Sequence, residues 1–379
     1  MILGGPMDHT VIINATSIGR VLGGIGVYGV LLVKAVARVD TPLRFRVILN
    51  EDARPHFAGV TFPENVRVDY VPAAMSPDRG TRGHVLRWLY ATQRAVRAGR
   101  SLVFGTSQIE APLLGTPGVV TVHDVIPLLF ERYHPRQRHF YRHVLGPALR
   151  GAAAVITPSR ATKERLQEQY GLVPEKIRVI PHGVSVASAA RSEASPPREP
   201  FILCIGRPNP IKNVRTLLAA HRLLRPYLPV KVVFAGGDGP RPADMARDPD
   251  VVFRGNVTDA EKLDLLDRAS VLVCPSLYEG FGLPPLEAMA RGCPVVISST
   301  GSLPEVGGDA ARYVDPLDAP AMAGAIHEVL TDARLRERMI DRGYRRARTF
   351  SWEASARQHV SLFEEVLALR DRRLAEVAG

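Results

Sequence analysis

Two glutamates eight residues apart, Glu279 and Glu287 in EGFGLPPLE, enclose a glycine turn and a pair of prolines. Carboxylates placed this way are natural acceptors for the hydroxyls of a sugar or a ribose. Proline suits the first turn of a helix, where an N–H would lack an intrahelical partner anyway. The run therefore predicts a helix that starts near Pro284 and continues through Ala288 to Arg291, fed by a turn over Gly280, Phe281 and Gly282. The unpaired N–H groups at such a helix end, and its dipole, favour an anion. The chemistry implied is a phosphate pocket with a carboxylate on either side. A carboxylate that merely answers a helix dipole would account for Glu279 alone, not for the pair and the turn between.

A second pair, this one cationic, supports that chemistry. GRPNPIKN follows the strand-like run FILCIG directly, which puts Arg207 and Lys212 at the carboxyl end of a strand. Open α/β sheets bind ligands there. Arg207 offers a fork and Lys212 a point charge to a pyrophosphate.

The elements that must position these groups alternate along the chain. VIINA, FRVILN, VRVDYV, SLVFG, GVVTVHDV and AAVITPS read as strands of the first half. FILCIG, VKVVFAGG, DVVFRG, SVLVCPS and CPVVIS read as strands of the second. Amphipathic stretches such as HVLRWLYATQRAVRAG lie between them. Alternation of this kind predicts parallel sheets covered by helices on both faces. At 379 residues two domains are expected. The Ser/Ala/Pro-rich segment 185–200, without periodicity, is the linker candidate.

Composition is that of an ordinary globular protein, with 46% hydrophobic and 23% charged residues. No apolar run is long enough to span a bilayer. The N-terminus lacks a basic signal-peptide region, and Met7 offers a second possible start. Cys204, Cys274 and Cys293 each lie in or beside an apolar run, as expected of small buried residues in a reducing cytoplasm. The net charge of +11 is unevenly spread: residues 1–190 hold 23 Lys/Arg against 13 Asp/Glu, and the remainder 26 against 25. A basic first half attracts phosphate-rich partners, or is a solvated face of an arginine-rich chain. The helical stretch from His84 to Ala98 admits a membrane-surface reading, but that of a domain helix with a basic outer face is preferred.

Seven runs appear in the order of one known family: GGIGVY, TVHDVIPL at 121–128, VIPHGV at 179–184, GRPNPIKN at 206–213, GGDGP at 236–240, the Glu279–Glu287 run with EAMARGCPVVIS, and FSWEASA at 350–356. With them the chain resembles the retaining nucleotide-sugar glycosyltransferases of the family 4 type (glycosyl transferases group 1), and some of the spellings are frequent in mannosyltransferases. The resemblance implies the GT-B fold, two Rossmann-like parallel-sheet domains facing a central cleft. It implies an acceptor domain over 1–184, a nucleotide-sugar domain over 201–356 and a last helix, 357–379, that packs back on the first domain.

The resemblance also implies roles. Arg207 and Lys212 hold the diphosphate beside Gly206, Glu287 takes the ribose, and Glu279 takes the donated sugar. Gly282 and Leu283 offer backbone N–H groups to phosphate, and FRGNV, ending at Val257, cradles the base. His123 lies near the sugar with Asp124 beside it, and Gly23 and Gly24 belong to a glycine loop on the acceptor side. No cofactor is expected, and no metal. The donor is a GDP- or UDP-linked hexose, with GDP-mannose the first choice. The acceptor is a carbohydrate hydroxyl, alone or carried on a polyprenyl pyrophosphate, used in polysaccharide or glycolipid synthesis. The location expected is the cytoplasm, with peripheral attachment to the inner membrane as an option.

Other readings compete. Gly24-Ile25-Gly26-Val27-Tyr28-Gly29 spells the GxGxxG of a dinucleotide site, but VIINA is followed by TSIGRVLG, too loose for a turn straight off the first strand. Asp248-Pro249-Asp250 spells a DxD, which a polar turn explains. A non-catalytic nucleotide-sugar binder and a hydrolase or epimerase on the same fold are the alternative functions. A nucleic-acid binder rests on charge alone, without a recognisable module.

Overall fold

A computed structural model of the chain describes residues 9–99, 101–111, 118–184, 199–237 and 248–378. The linker candidate therefore lies outside the described residues over 185–198, as does the end of GGDGP over 238–240. The chain divides into two compact units: one runs to Gly183 and resumes at Trp352, and the other is Val184–Ser351.

The first unit is built on seven strands: β1 (Thr10–Asn14), β2 (Arg44–Asn50), β3 (Val66–Val71), β4 (Leu102–Gly105), β5 (Gly118–Thr121), β6 (Ala154–Thr157) and β7 (Ile177–Val179). They lie in the order β3-β2-β1-β4-β5-β6-β7, every pair parallel. Strand residues point alternately to the two faces, and both faces are covered. Val11 and Ile13 enter one apolar cluster, while Ile12, between them, enters another with Ile48, Val71 and Val103. Burial on both sides is why these strands read as nearly continuous hydrophobic runs. The helix Trp352–Ala378 belongs to this unit. Trp352, Val360 and Phe363 join the cluster that also contains Val30 and Val33 of the helix Gly24–Val36. The return to the first unit thus begins at Trp352, upstream of residue 357.

The second unit has six strands: β8 (Glu199–Ile205), β9 (Lys231–Ala235), β10 (Val251–Phe253), β11 (Ala269–Cys274), β12 (Val295–Ser298) and β13 (Ala311–Val314). Their order is β10-β9-β8-β11-β12-β13, again parallel throughout. Leu203 packs on one face and Ile202 with Cys204 on the other. All three cysteines are free and buried.

Each sheet reverses its strand order once, at β1/β4 and at β8/β11. At such a switch point the connections leave in opposite directions and open a crevice at the carboxyl ends. The two sheets together make the two-Rossmann GT-B architecture, and they fix where ligand-binding loops have to be.

Phe363 has no exposed surface and its ring lies 5.0 Å from that of Phe104 on β4. Phe363→Ala should cost roughly 3–5 kcal/mol by denaturant unfolding. A loss under about 1 kcal/mol would mean that the last helix is not part of the core of this unit.

Candidate active site

The loops that follow β8 and β11 are stitched together at the switch point of the second unit. After β8, Gly206 turns with φ +131°, and a side chain there would press on the Lys212 stem. Asn209 Oδ1 then accepts from the N–H groups of Ile211 and Lys212, both at 2.9 Å, folding Pro210–Lys212 into one tight turn. Asn213 is the one non-glycine residue with positive φ among those described, and its amide donates to the carbonyls of Pro275 and Pro316. Leu277 N–H donates to Ile211 O at 2.8 Å.

This stitching delivers Lys212 Nζ to Glu279 Oε1, 2.5 Å away, and Ser276 Oγ donates to the same oxygen at 2.5 Å. Burial pulls the Lys212 ammonium down, but the Glu279 charge and hydrogen bond outweigh it, and the net shift is above the ordinary lysine value. Lys212 is therefore charged at every physiological pH. The predicted cation and the predicted carboxylate are one ion pair, partly open to solvent at 25% and 12% side-chain exposure.

The glycine turn after Glu279 leads into the helix Leu283–Ala290, which starts one residue earlier than expected and ends at Ala290 rather than Arg291. Gly282 has φ +116°, and a Cβ there would sit 2.9 Å from Leu303 Cδ2. Among the described residues no side chain caps this N-terminus. Pro284 and Pro285 carry no N–H and Leu286 N–H donates to Gly282 O, so the N–H groups this end can offer an anion are those of Gly282 and Leu283. Ser302 fixes the turn from outside, its hydroxyl 2.9 Å from Glu279 O. Glu287, one turn in, is paired with Lys262 Nζ at 2.8 Å, both side chains 19% exposed. Burial raises the Glu287 carboxyl against the pull of Lys262. Sequence reading missed Lys262. Its signal was the capping box Thr258–Glu261, which starts the helix Asp259–Arg268 and sets Lys262 on its first turn.

Arg207 is exposed and, among the described residues, has no ion-pair partner. Gly237 makes room for it, since a Cβ at Gly237 would fall 2.6 Å from Arg207 Cγ. Gly237 N–H donates to Asn256 Oδ1, which ties the loop after β9 to FRGNV after β10. Val257 is half-buried on the apolar core there. Asp248 and Asp250 both face Arg225, ahead of the amino end of β10 and away from the carboxyl-end loops.

In the first unit, His123 follows β5 and is 6% exposed. Its Nε2 lies 2.9 Å from Thr106 O. A carbonyl only accepts, so Nε2 carries the proton and Nδ1 is left as the acceptor. The ring packs edge-on to Tyr28, at 4.6 Å between centroids, and near His182. Tyr28 Oη in turn meets Thr121 Oγ1 and His359 Nε2 at 2.9 and 3.0 Å. His359 Nδ1 donates to Ser355 O. Asp124 Oδ1 accepts from Ile126 N–H, capping the turn that follows. The predicted glycine loop is shorter than expected: Gly23 is the N-cap and Gly24 the first residue of the helix Gly24–Val36, with open space where their side chains would be. The connection from Asn14 to Gly24 confirms that no tight dinucleotide turn is present.

Glu110, also missed from sequence, is fully buried. It accepts from the N–H groups of Ser17 and Ser107 at 2.7 and 3.0 Å and from Thr106 Oγ1. It thereby ties the loop after β1 to the loop after β4, at the switch point of this unit. The capping box Ser107–Glu110 was its only local trace.

Comparison with known proteins gives a family model, glycosyl transferases group 1, over residues 187–346, and another, glycosyltransferase family 4, over 22–188. The MMP alpha-(1->4)-mannosyltransferase of Mycolicibacterium hassiacum is 32% identical over 70% of this chain and 69% of its own. The O-antigen chain mannosyltransferase B of Escherichia coli is 31% identical over 65% and 70%. Among solved structures, the sucrose-phosphate synthase of Thermosynechococcus elongatus superposes with a TM-score of 0.73 at 21% identity, covering 95% of this chain and all of the other. Anabaena HepE in complex with UDP and glucose gives 0.70 at 18%, covering 94% and 99%.

Two outcomes follow from this geometry. Gly282→Ala should lower stability by about 1–3 kcal/mol through backbone strain alone, with the Leu303 contact adding to it, whereas Gly23→Ala should be near neutral in the same thermal melt. Burial also holds His123 and His359 at about 4, and His182 well below its ordinary 6.5. As pH falls from 6.5 toward 4 the unfolded chain takes up protons that the folded chain refuses, so stability should drop across that window. Urea midpoints measured against pH should show the drop, and His359→Gln should make it shallower.

Proposed function

We propose that this chain, which belongs to the family 4 type of glycosyl transferases group 1 and is a glycosyltransferase, moves a hexose from a nucleoside diphosphate to a hydroxyl with retention of the anomeric configuration. The observation that carries the reading is the Lys212–Glu279 pair beside the uncapped helix end at Gly282. The pair is neutral overall and fixes the Lys212 ammonium in place, while Arg207 and the helix end add net positive charge where a diphosphate would depart. They would supply what a divalent cation supplies elsewhere, and the reaction is proposed to proceed without one.

In the proposed step the bond from the anomeric carbon to the β-phosphate oxygen breaks. The acceptor oxygen bonds to that carbon from the same face. The acceptor proton passes to the departing phosphate oxygen, so the leaving group serves as the base. Glu279 is already engaged by Lys212 and Ser276; it is assigned to orient sugar hydroxyls and not to attack carbon. Glu287, braced by Lys262, is assigned to the ribose. Leu283 joins Gly282 at the phosphate, and Gly206 and Val257 border the nucleotide. On the acceptor side are His123, neutral with Nδ1 as acceptor, Asp124, and the helix start at Gly23 and Gly24.

The donor proposed is GDP-mannose. Relatives named mannosyltransferases support the sugar. The same names support a role in polysaccharide or glycolipid synthesis, with a carbohydrate acceptor, free or on a polyprenyl pyrophosphate.

Lys212→Ala and Glu279→Ala should each lower kcat by about 10²–10³ while the thermal melt shows a folded protein. NMR of the product should show the donor's anomeric configuration. Near-normal turnover in both variants, or an inverted product, would overturn the assignment. Hydrolysis or epimerisation of the donor at the same rate with and without any acceptor would move the chain to another reaction on the same fold.

A further inference from the structure

The charge excess of the first half has an address. Between Asp78 and Glu110 the sequence holds six arginines and no acidic residue. The helix Gly80–Val96 occupies most of that stretch. Its inner side is fixed in the fold: Gly83, Arg87 and Ala91 are buried, Arg87 Nη1 donates to Met75 O at 2.7 Å, and Tyr90 packs on the Ile12–Val103 cluster. A Cβ on Gly83 would fall 2.3 Å from Ser76 O, so the helix sits tight against the preceding turn.

The outer side is different. Val85, Leu86, Leu89 and Val96 are 48%, 40%, 53% and 64% exposed. Helical spacing puts 85, 89 and 96 on one stripe. Arg82 falls within the same face, Arg79 and Arg97 lie along its edge, and all three are exposed. Asp78, the adjoining carboxylate in sequence, accepts from Arg20 N–H and the Ser76 hydroxyl and sets one negative charge against three exposed arginines. A packed domain helix with a basic outer face accounts for the exposed arginines, but not for four aliphatics turned outward among them. Aliphatics that sink to the acyl boundary, with arginine stems reaching back to headgroup phosphates, answer to both features at once. The uncompensated charge selects an anionic surface. No helix among the described residues is long and apolar enough to cross a membrane, so the contact would be with the surface.

We infer that the outer face of the helix Gly80–Val96 docks the enzyme on an anionic lipid bilayer, through Val85, Leu86, Leu89 and Val96 with Arg79, Arg82 and Arg97. The inference is independent of the donor chemistry proposed above and stands or falls without it.

The test is flotation of the full chain with phosphatidylcholine vesicles, with and without phosphatidylglycerol. The wild type should float only with the anionic vesicles, and less as salt rises. Val85→Ser with Leu89→Ser should reduce partitioning by at least about tenfold, and Arg82→Ala with Arg97→Ala by about fivefold per arginine at low salt. Circular dichroism melts should show both double variants folded, and soluble-substrate turnover should be unchanged. Absence of flotation with anionic vesicles at low salt would overturn the inference. So would flotation that both variants retain. A wild-type dimer by light scattering that becomes a monomer in Val85→Ser/Leu89→Ser would assign the face to a second copy of the chain instead.

Discussion

The second unit is organised around one electrostatic constraint: the half-buried Lys212 ammonium has to be matched by Glu279. A charge withdrawn from water is costly unless paired and hydrogen-bonded. Much of the surrounding architecture serves that match. The Asn209 cap folds the turn that carries Lys212, Ser276 takes part of the same carboxylate oxygen, and Asn213 binds carbonyls from two other connections. The pair joins loops that leave neighbouring strands in opposite directions. It closes the switch point on its sides and leaves the helix end at Gly282 uncapped. An incoming diphosphate would therefore meet a fixed array of charge, which need not reorganise as the reaction proceeds.

The first unit meets the same topological demand with an anion. Glu110 ties the loops after β1 and β4 by accepting backbone and hydroxyl donors, and it lies fully buried. Burial raises its carboxyl, while Arg87 and the surrounding donors pull the other way. The residue is the internal fastening of the loops after β1 and β4. The aromatic and histidine cluster around Tyr28 joins this sheet to the last helix, and its hydrogen-bond directions run from Thr121 through Tyr28 to His359 and on to Ser355.

What was legible in the sequence followed from local chemistry. Proline pairing and the glycine turn placed the helix after Gly282 to within a residue, and β/α alternation gave both parallel sheets. GRPNPIKN placed Lys212 at a strand end because a short polar turn has nowhere else to go. Contacts between distant segments were not legible. Lys262 reaches Glu287 from another helix, and His359 reaches Tyr28 across 331 positions. His123 read as a strand-end side chain near a sugar. The structure shows why the position matters in a different way: its proton is committed to Thr106 O, and only Nδ1 is left to accept. The basic first half was ambiguous for a similar reason. Composition counts arginines, but only the fold shows which aliphatic side chains share their surface.

Whether Lys212 and its surroundings bind a nucleoside diphosphate without a metal is tested by calorimetric titration of the full chain with GDP, UDP and dTDP, with and without EDTA, repeated on Lys212→Ala. One nucleotide should bind best, GDP first among them, chelation should leave its affinity unchanged, and Lys212→Ala should weaken it by at least about tenfold, the loss expected of one charge-assisted contact. Binding abolished by EDTA, or equal in the wild type and Lys212→Ala, would contradict that reading.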